Sequence, residues 1–273
     1  MKTDVAIRIL QPTDLQFVDP FVAAAGWNQL HEDWLRVVSF EPQGCFAAWS
    51  GDQLVGTVTT TTYGRDLGWI GMMLVHSEFR RRGIATALMK QSIRYLRERE
   101  VACIKLDATP AGRPVYEKLG FEVEWDFQRW ERPSMNSPDV LTPVDSPWSA
   151  SLSLDQAAFG TDRSRWLAEL ARHSVTVHSG EGYGFLRSGR RAAYLGPVVA
   201  ASPASAESII QALMNHVSGP VFWDAPETNR QAVPLVQQLH FRPVRVLTRM
   251  RMGHMRVEPD LPLQYAIAAP ETG

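Results

Sequence analysis

The sequence predicts an α/β protein made of two similar lobes, and three observations support this prediction. Apolar, β-branched segments alternate with segments of helical periodicity along the chain. Residues 135–148 are rich in proline and serine, have no hydrophobic period and are typical of a linker. The order of elements before this linker recurs after it. We therefore expect a first lobe at residues 1–134 and a second lobe at residues 149–273.

The elements of the first lobe follow from the apolar pattern. Residues 84–98 place small and apolar side chains on one helical stripe. Residues 121–130 alternate apolar and polar side chains, which indicates a strand with one face in water. After an opening strand in the first ten residues, the predicted elements are strands at residues 53–63, 69–75, 101–106 and 121–130 and helices at residues 84–98 and 114–119.

The second lobe is predicted in the same way. Its helices are expected at residues 153–159, 163–173, 205–217 and 230–239, and its strands at residues 174–178, 182–187, 191–199, 220–224 and 241–252. A repeated order of elements favours duplication. In each half an Asp-Ala pair, which begins at Asp107 or at Asp224, is followed by a helix, a turn that ends in phenylalanine and an alternating strand. Two unrelated α/β lobes are the alternative.

Composition excludes several classes of protein. The 273 residues have a net charge of -1, so the basic excess typical of proteins that bind nucleic acid by charge is missing. No apolar run reaches the ~18–20 residues of a membrane helix. Cys45 and Cys103 have apolar neighbours and no paired spacing, which favours reduced thiols in a cytoplasmic protein and implies no metal.

The stretch from Arg80 to Ala85 has the clearest chemical meaning, because it connects a predicted strand to a predicted helix. The first turn of a helix has unpaired backbone N–H groups and a partial positive charge. Gly83 allows a close approach to the backbone, and the three arginines add positive charge. These features favour a pyrophosphate group, whereas a solvated basic loop is the alternative. The stretch matches neither a nucleoside triphosphate loop nor a dinucleotide turn.

This stretch resembles the acyl-coenzyme A signature of the GCN5-related N-acetyltransferases (the GNAT family), Arg/Gln-x-x-Gly-x-Gly/Ala. Arg80, Gly83 and Ala85 match it. A later segment is similar to the family's Tyr-x-x-x-Gly-Phe, here beginning at Tyr116. The two motifs cover about residues 50–130. The resemblance implies two tandem GNAT-like lobes, each with a mixed, mostly antiparallel sheet flanked by helices.

The resemblance also implies the chemistry, which is direct acetyl transfer from acetyl-coenzyme A to an amine in a ternary complex. The strand before the turn would polarise the thioester carbonyl through its backbone N–H groups. Tyr116 would protonate the leaving thiolate, unless it is only a packing residue. Thr109 stands where the family often has asparagine. The cofactor-binding residues implied are Met73, Leu74, Val75, Arg80, Arg81, Arg82, Gly83, Ile84, Ala85, Thr86 and Thr109.

The general base is not evident from the sequence. Many family members place Glu or His early in the strand before the turn, but residues 69–72 contain no titratable side chain. Water could relay the proton instead. The candidates from elsewhere in the chain are His31, Glu32, Asp33 and Asp66.

The acceptor site is expected near the first helices, where the resemblance places Trp27, Asn28 and Glu32. Aromatic and amide side chains suit a small polar acceptor, although ordinary core tryptophans are the alternative. The second lobe lacks the Arg-x-x-Gly-x-Ala pattern and has Pro203, which removes a backbone donor, in the matching turn. We expect it to bind no coenzyme A, to pack on the first lobe and to wall the acceptor site.

The sequence therefore predicts an acyl-coenzyme A-dependent N-acetyltransferase that acts on a small-molecule amine. It predicts a monomer or homodimer in the cytoplasm, with no nucleic acid, membrane or metal partner. A protein lysine or N-terminal acetyltransferase and a non-catalytic acyl-coenzyme A sensor are the alternatives.

Overall fold

The structure is a computed structural model that describes residues 5–273, so Met1–Asp4 of the predicted opening strand lie outside it. The helices are α1 (Leu15–Ala24), α2 (His31–Phe40), α3 (Ile84–Glu98), α4 (Arg113–Lys118), α5 (Leu152–Phe159), α6 (Ser164–Ala171), α7 (Pro203–Met214) and α8 (Ala232–Gln238). The strands are β1 (Ala6–Ile9), β2 (Phe46–Ser50), β3 (Gln53–Tyr63), β4 (Leu67–Val75), β5 (Cys103–Ala108), β6 (Glu122–Arg132), β7 (Ser174–Ser179), β8 (Gly182–Arg187), β9 (Ala193–Ala200), β10 (Val221–Pro226), β11 (Arg242–Gly253) and β12 (Gln264–Ala266).

Most predicted elements are present, with ends that differ by up to three residues. β3 and α3 have the predicted bounds. On α3 the predicted apolar stripe is confirmed, because Leu88, Met89, Ser92 and Leu96 are buried against the sheet. The hydrophobic pattern of the sequence did not predict the bounds of α1, α2, β2 or β12.

Within residues 5–273 the strands form one twelve-stranded sheet. Their order is β1-β2-β3-β4-β5-β11-β6-β10-β9-β8-β7, with β12 paired to β9. The β4–β5 and β9–β10 pairs are parallel and the others are antiparallel. The sheet is therefore mixed and mostly antiparallel, as the resemblance implies.

The two halves of the chain exchange their last strands. β11, from the second half, lies between β5 and β6, and β6, from the first half, lies between β11 and β10. Thr248 on β11 donates a hydrogen bond of 2.6 Å to the carboxylate of Asp126 on β6. The linker at residues 135–148 therefore separates two segments of the chain, but the strands of those segments interleave in one sheet.

Residues 267–273 run inward between the two halves and become part of the core. Ile267, Ala268 and Thr272 are almost fully buried. A Cβ built on Gly273 would lie 2.7 Å from Trp69 and 2.9 Å from Phe159, so this end of the segment packs tightly against both halves. The alternating patterns of the sequence contain no signal for this arrangement.

Among residues 5–273, no helix is both long enough and apolar enough to cross a membrane.

Candidate active site

A cleft opens where β4 and β5 separate. The two strands are paired as far as Trp69 with Lys105, and the residues that follow on each strand diverge. The family resemblance implies such a splay next to the pyrophosphate turn. The opening exposes one backbone edge of β4 to a ligand.

A β-bulge shapes that edge. Between β3 and β4 the register shifts so that two residues of β4 face one residue of β3. Met72 has a φ of 47°, and the Thr57 hydroxyl donates a hydrogen bond of 3.0 Å to its carbonyl. Met73, Leu74 and Val75, the predicted pantetheine contacts, lie directly after this bulged position in β4.

The predicted pyrophosphate cradle is open. Gly83 is the N-cap of α3 with a φ of 80°, and a Cβ built on it meets no atom within 4 Å. Among the described residues no side chain caps this helix, so the N–H groups of Ile84, Ala85 and Thr86 have no side-chain acceptor. Arg81, with a φ of 61°, also turns the chain in the left-handed region. The cradle therefore fits a bound pyrophosphate.

The side chains of Arg80 and Arg82 stabilise the turn between β4 and α3 through hydrogen bonds to backbone carbonyls. The Arg80 Nε donates to the Val75 carbonyl at 3.2 Å, and an Arg82 nitrogen donates to the Glu78 carbonyl at 2.8 Å. The Arg82 guanidinium also lies 4.8 Å from the centre of the Phe79 ring. The arginines are exposed, so they add positive charge at the mouth of the cradle as well.

Tyr116 projects from α4 toward the opening between β4 and β5. A Cβ on Gly112 would lie 3.1 Å from its ring, so a small residue there gives the tyrosine room. Burial raises the pKa of Tyr116 to about 12, so its phenol is protonated at neutral pH. Thr109 lines the same cleft, and its hydroxyl accepts a 3.2 Å hydrogen bond from the Gly112 N–H.

The cleft at Tyr116 contains a partly open cavity of about 250 Å³ that both halves of the chain line. The first half contributes β4, β5, β6 and the segment after α1. The second half contributes β11, the start of β10 and the segment at Glu271. The lining side chains that carry charge are Asp107, Arg129, Glu131, Arg191, Arg245 and Glu271.

The predicted acceptor residues have different positions. Trp27 and Asn28 line the cavity, whereas Glu32 is exposed on a different surface. Moreover, the Asn28 amide is used in joining the two halves: it donates to the Ala192 carbonyl at 3.0 Å and accepts from the Arg191 and Ala192 N–H groups. Asn28 therefore shapes the wall of the cavity.

None of the four candidate bases lies in this cavity within residues 5–273. His31 pairs with the exposed carboxylate of Asp19. Asp33 accepts from the Leu30 N–H and from Arg36 at the start of α2.

The other two candidates lie elsewhere. Glu32 is on the separate surface already described. Asp66 lies at the opposite end of β4, where Thr161 and Arg256 contact it.

Two buried ion pairs line the cavity. Each oxygen of Asp107 accepts a 2.9 Å hydrogen bond from Arg249, and Arg129 donates two hydrogen bonds to Asp224. Tyr194 donates a third hydrogen bond to Asp224. Both pairs link strands of different halves, so the strand exchange also positions the charges in the cavity.

The sequence predicted none of the charged residues of this lining as site residues, and Glu271 and Arg245 are two of them. Among residues 5–273 neither makes an ion pair. Burial and the neighbouring Arg129 cation lower the pKa of Arg245. Burial and the nearby Asp33 carboxylate raise the pKa of Glu271, although a hydrogen bond from Gln29 opposes this. No local pattern marks either residue, because each reaches the cavity from the distant end of the chain.

The matching opening in the second half is filled. β9 and β10 are paired as far as Leu195 with Trp223 and then diverge, but β12 pairs with β9 in that gap. At the start of α7 the Ser202 hydroxyl accepts from the Ser205 N–H.

The carboxylate of Glu181 lies at the start of α7. The Glu181 carboxylate accepts hydrogen bonds from the hydroxyls of Ser202 and Ser205. A helix start of this kind repels a second anion.

No group of three or more His, Cys, Asp or Glu side chains among residues 5–273 could hold a metal ion.

Comparisons with known proteins agree with this architecture. Residues 11–121 match a model of the acetyltransferase (GNAT) family, and residues 151–266 match a second acetyltransferase (GNAT) domain model. A protein from Bacillus subtilis called an uncharacterized N-acetyltransferase, YitH, is 28% identical over 218 residues, which cover 74% of this chain and 75% of that protein.

Two further proteins are similar. Holothin acyltransferase of a Pseudoalteromonas species is 22% identical over 175 residues, which cover 61% of this chain and 58% of that enzyme. A crystal structure of a Pyrococcus horikoshii protein described as an acetyltransferase superposes with a TM-score of 0.86 at 28% identity and covers 98% of this chain and 96% of that one. The splayed strands, the open cradle and the two matched domains show that the chain belongs to the GNAT family, as a tandem, acyl-coenzyme A-dependent acetyltransferase.

Proposed function

We propose that this protein transfers an acetyl group from acetyl-coenzyme A to the primary amine of a small molecule, by direct attack in a ternary complex. One observation carries the proposal. The cavity that Met73 and Tyr116 line lies where β4 and β5 diverge, and β4 leads directly into the turn that ends at the open cradle of Gly83. A donor in the cradle and an acceptor in the cavity would therefore come together at this tyrosine.

The residues of the first half have distinct roles in this proposal. The first turn of α3 binds the pyrophosphate through backbone N–H groups. The bulged edge of β4 at Met72 and Met73 supplies backbone donors for the negative charge that develops on the carbonyl oxygen. Tyr116 donates its proton to the departing sulfur.

The size and charge of the cavity support a small acceptor. Its volume of about 250 Å³ is slightly below the ~300–1,000 Å³ of typical ligand pockets, and both halves contribute walls to it. Glu271 suits the positive amine, and Arg245 suits an anionic group on the same molecule. We therefore favour an amine that also carries a carboxylate or a similar anion.

Cys45 and Cys103 are buried and unpaired, which supports our proposal that the protein acts in the cytoplasm. We also propose that it is a monomer or homodimer.

The first test combines calorimetry with an amine screen. Titration with acetyl-coenzyme A should show one site with a Kd in the micromolar range, about -8 kcal/mol. Release of coenzyme A should then rise with small zwitterionic amines. Turnover only with peptides or proteins would indicate a protein acetyltransferase. Tight binding without turnover on any amine would indicate a sensor and would contradict the proposed function.

A further inference from the structure

We infer that Glu271 is the general base that removes a proton from the acceptor amine. This inference rests on the proposed function and assigns the one role that the sequence left open. In the described chain, Glu271 lines the cavity beside the diverging edge of β4, although it follows that strand by about 200 positions in the sequence. Three independent features of its surroundings support the assignment.

The first feature is the match between Glu271 and Gly71. A Cβ built on Gly71 of β4 would lie 2.3 Å from the Glu271 carbonyl oxygen and 2.7 Å from its Cα. The main chain of Glu271 therefore occupies the space where a side chain on β4 would point. Glu271, which lines the cavity, therefore lies directly against residues 69–72 of β4, which carry no titratable side chain.

The second feature is that the backbone on both sides of Glu271 is held in place. The Trp69 indole donates a 3.0 Å hydrogen bond to the Pro270 carbonyl, and the Tyr63 hydroxyl donates one of 2.5 Å to the Thr272 carbonyl. Arg163 donates to the Gly273 carbonyl at 3.0 Å. A base acts efficiently when its position is fixed relative to the proton that it accepts, and these bonds fix the main chain of Glu271.

The third feature is the electrostatic environment. Burial and the Asp33 carboxylate raise the pKa of Glu271, which makes it a stronger base than an ordinary glutamate. The polar and charged groups that face it from the surrounding elements are Gln29 and Asp33 near α2, Arg129 on β6, Arg187 on β8, Tyr194 on β9 and Arg245 on β11.

The other two carboxylates of the cavity fit the role less well. Both oxygens of Asp107 accept hydrogen bonds from Arg249, so its carboxylate is already paired with a cation. Thr248 of β11 pairs with Ala108, the last residue of β5, on one side and with Asp126 of β6 on the other. Glu131 follows Asp126 by five residues on β6. At ~3.3 Å per residue, Glu131 is roughly 15 Å farther along the sheet.

The proton balance of the step is complete. The Glu271 carboxylate accepts one proton from the ammonium, and the freed nitrogen pair forms the C–N bond at the thioester carbonyl. The C–S bond breaks with its electron pair on sulfur, and Tyr116 supplies the proton that makes the thiol. The nitrogen loses its second proton, Tyr116 regains one, and the proton on Glu271 passes to solvent. One ammonium and one thioester thus give one amide, one thiol and one released proton.

The test is E271Q compared with the wild type on two acceptors. One is an alkylamine that is an ammonium at neutral pH, and the other is a weakly basic amine that is already neutral. We expect kcat/KM for the alkylamine to fall ~10²–10⁴-fold at pH 7 and to recover as the pH approaches the pKa of the free amine. The rate with the neutral amine should change little, and calorimetry should show unchanged affinity for acetyl-coenzyme A.

Controls separate the possible failures. E258Q removes an exposed glutamate, 66% accessible, and should match the wild type on both acceptors. In E271A, added formate should restore part of the lost alkylamine rate, and melting curves check that both variants fold. Equal loss on both acceptors, or no loss on either, would overturn the assignment while leaving the acetyltransferase proposal intact. A wild type without turnover on either amine would overturn both.

Discussion

The surroundings of a single side chain determine what it can do in this cleft, and Tyr116 and Arg245 are clear cases. Tyr116 is packed beside Gly112, and its burial keeps the phenol protonated. Within residues 5–273 Arg245 lines the cavity without an ion pair, next to a cation that is already paired with Asp224. The Tyr-x-x-x-Gly-Phe motif predicts Tyr116 from the sequence, whereas only the fold brings Arg245 to the cavity.

Y116F should lower kcat ~10²–10⁴-fold and leave the affinity for acetyl-coenzyme A unchanged, because only the donated proton is lost. Since the pKa of Tyr116 is about 12, its ionisation should cause no fall in rate below about pH 10 in the wild type. Steady-state kinetics across this pH range and calorimetry check both statements. An unchanged kcat would reduce Tyr116 to a packing residue.

R245M should raise the KM for an amine that carries a carboxylate by about tenfold or more, because a hydrogen bond to a charged group contributes ~1.5–3 kcal/mol. A neutral amine of the same length should be unaffected. R242M, on the same strand but outside the cavity, serves as the control. If both amines lose affinity equally, Arg245 does not recognise an anion.

At the scale of elements, the two halves use the same parts in different ways. In the first half, α3 starts at an uncapped glycine, and β4 and β5 diverge around an open cleft. In the second half, Ser202 caps α7 beside the Glu181 carboxylate, and β12 fills the matching gap. We therefore propose that the cradle of the first half is the binding site for coenzyme A.

G83E should abolish acetyl-coenzyme A binding completely, because the new carboxylate would occupy the pyrophosphate site and repel the ligand. G83A has the same backbone strain at a φ of 80° but no charge, so it should retain measurable affinity. Calorimetry on both variants checks this. If G83E still bound acetyl-coenzyme A at one molecule per chain, the binding site would have to lie in the other half.

At the scale of the whole molecule, the strand exchange joins the halves into one sheet. β11 completes the first half and β6 completes the second, and buried pairs such as Arg249 with Asp107 connect them. Removal of one partner of a buried pair typically costs ~3–5 kcal/mol, so each half depends on the other for stability. The acceptor cavity exists only when both halves are present.

Residues 1–134 and 135–273, when produced separately, should each aggregate, because unpaired edges of β5 and β10 would be exposed. Production of the two segments together should restore a soluble complex with acetyltransferase activity. Size-exclusion chromatography and a coenzyme A release assay check the outcome. A folded, monomeric first segment that binds acetyl-coenzyme A by itself would contradict this expectation.

The sequence by itself determined the local parts of this protein, which are most helices and strands and the glycine turn that leads from β4 into α3. These features depend on periodicity and on residues that lie close together along the chain. The tertiary structure alone decided the strand exchange, the filled second cleft and the arrival of Arg245 and Glu271 in the cavity. Each of these depends on contacts between residues that are distant in the sequence, such as Gln264 with Val199 and Glu271 with Gly71, and such contacts leave no local pattern.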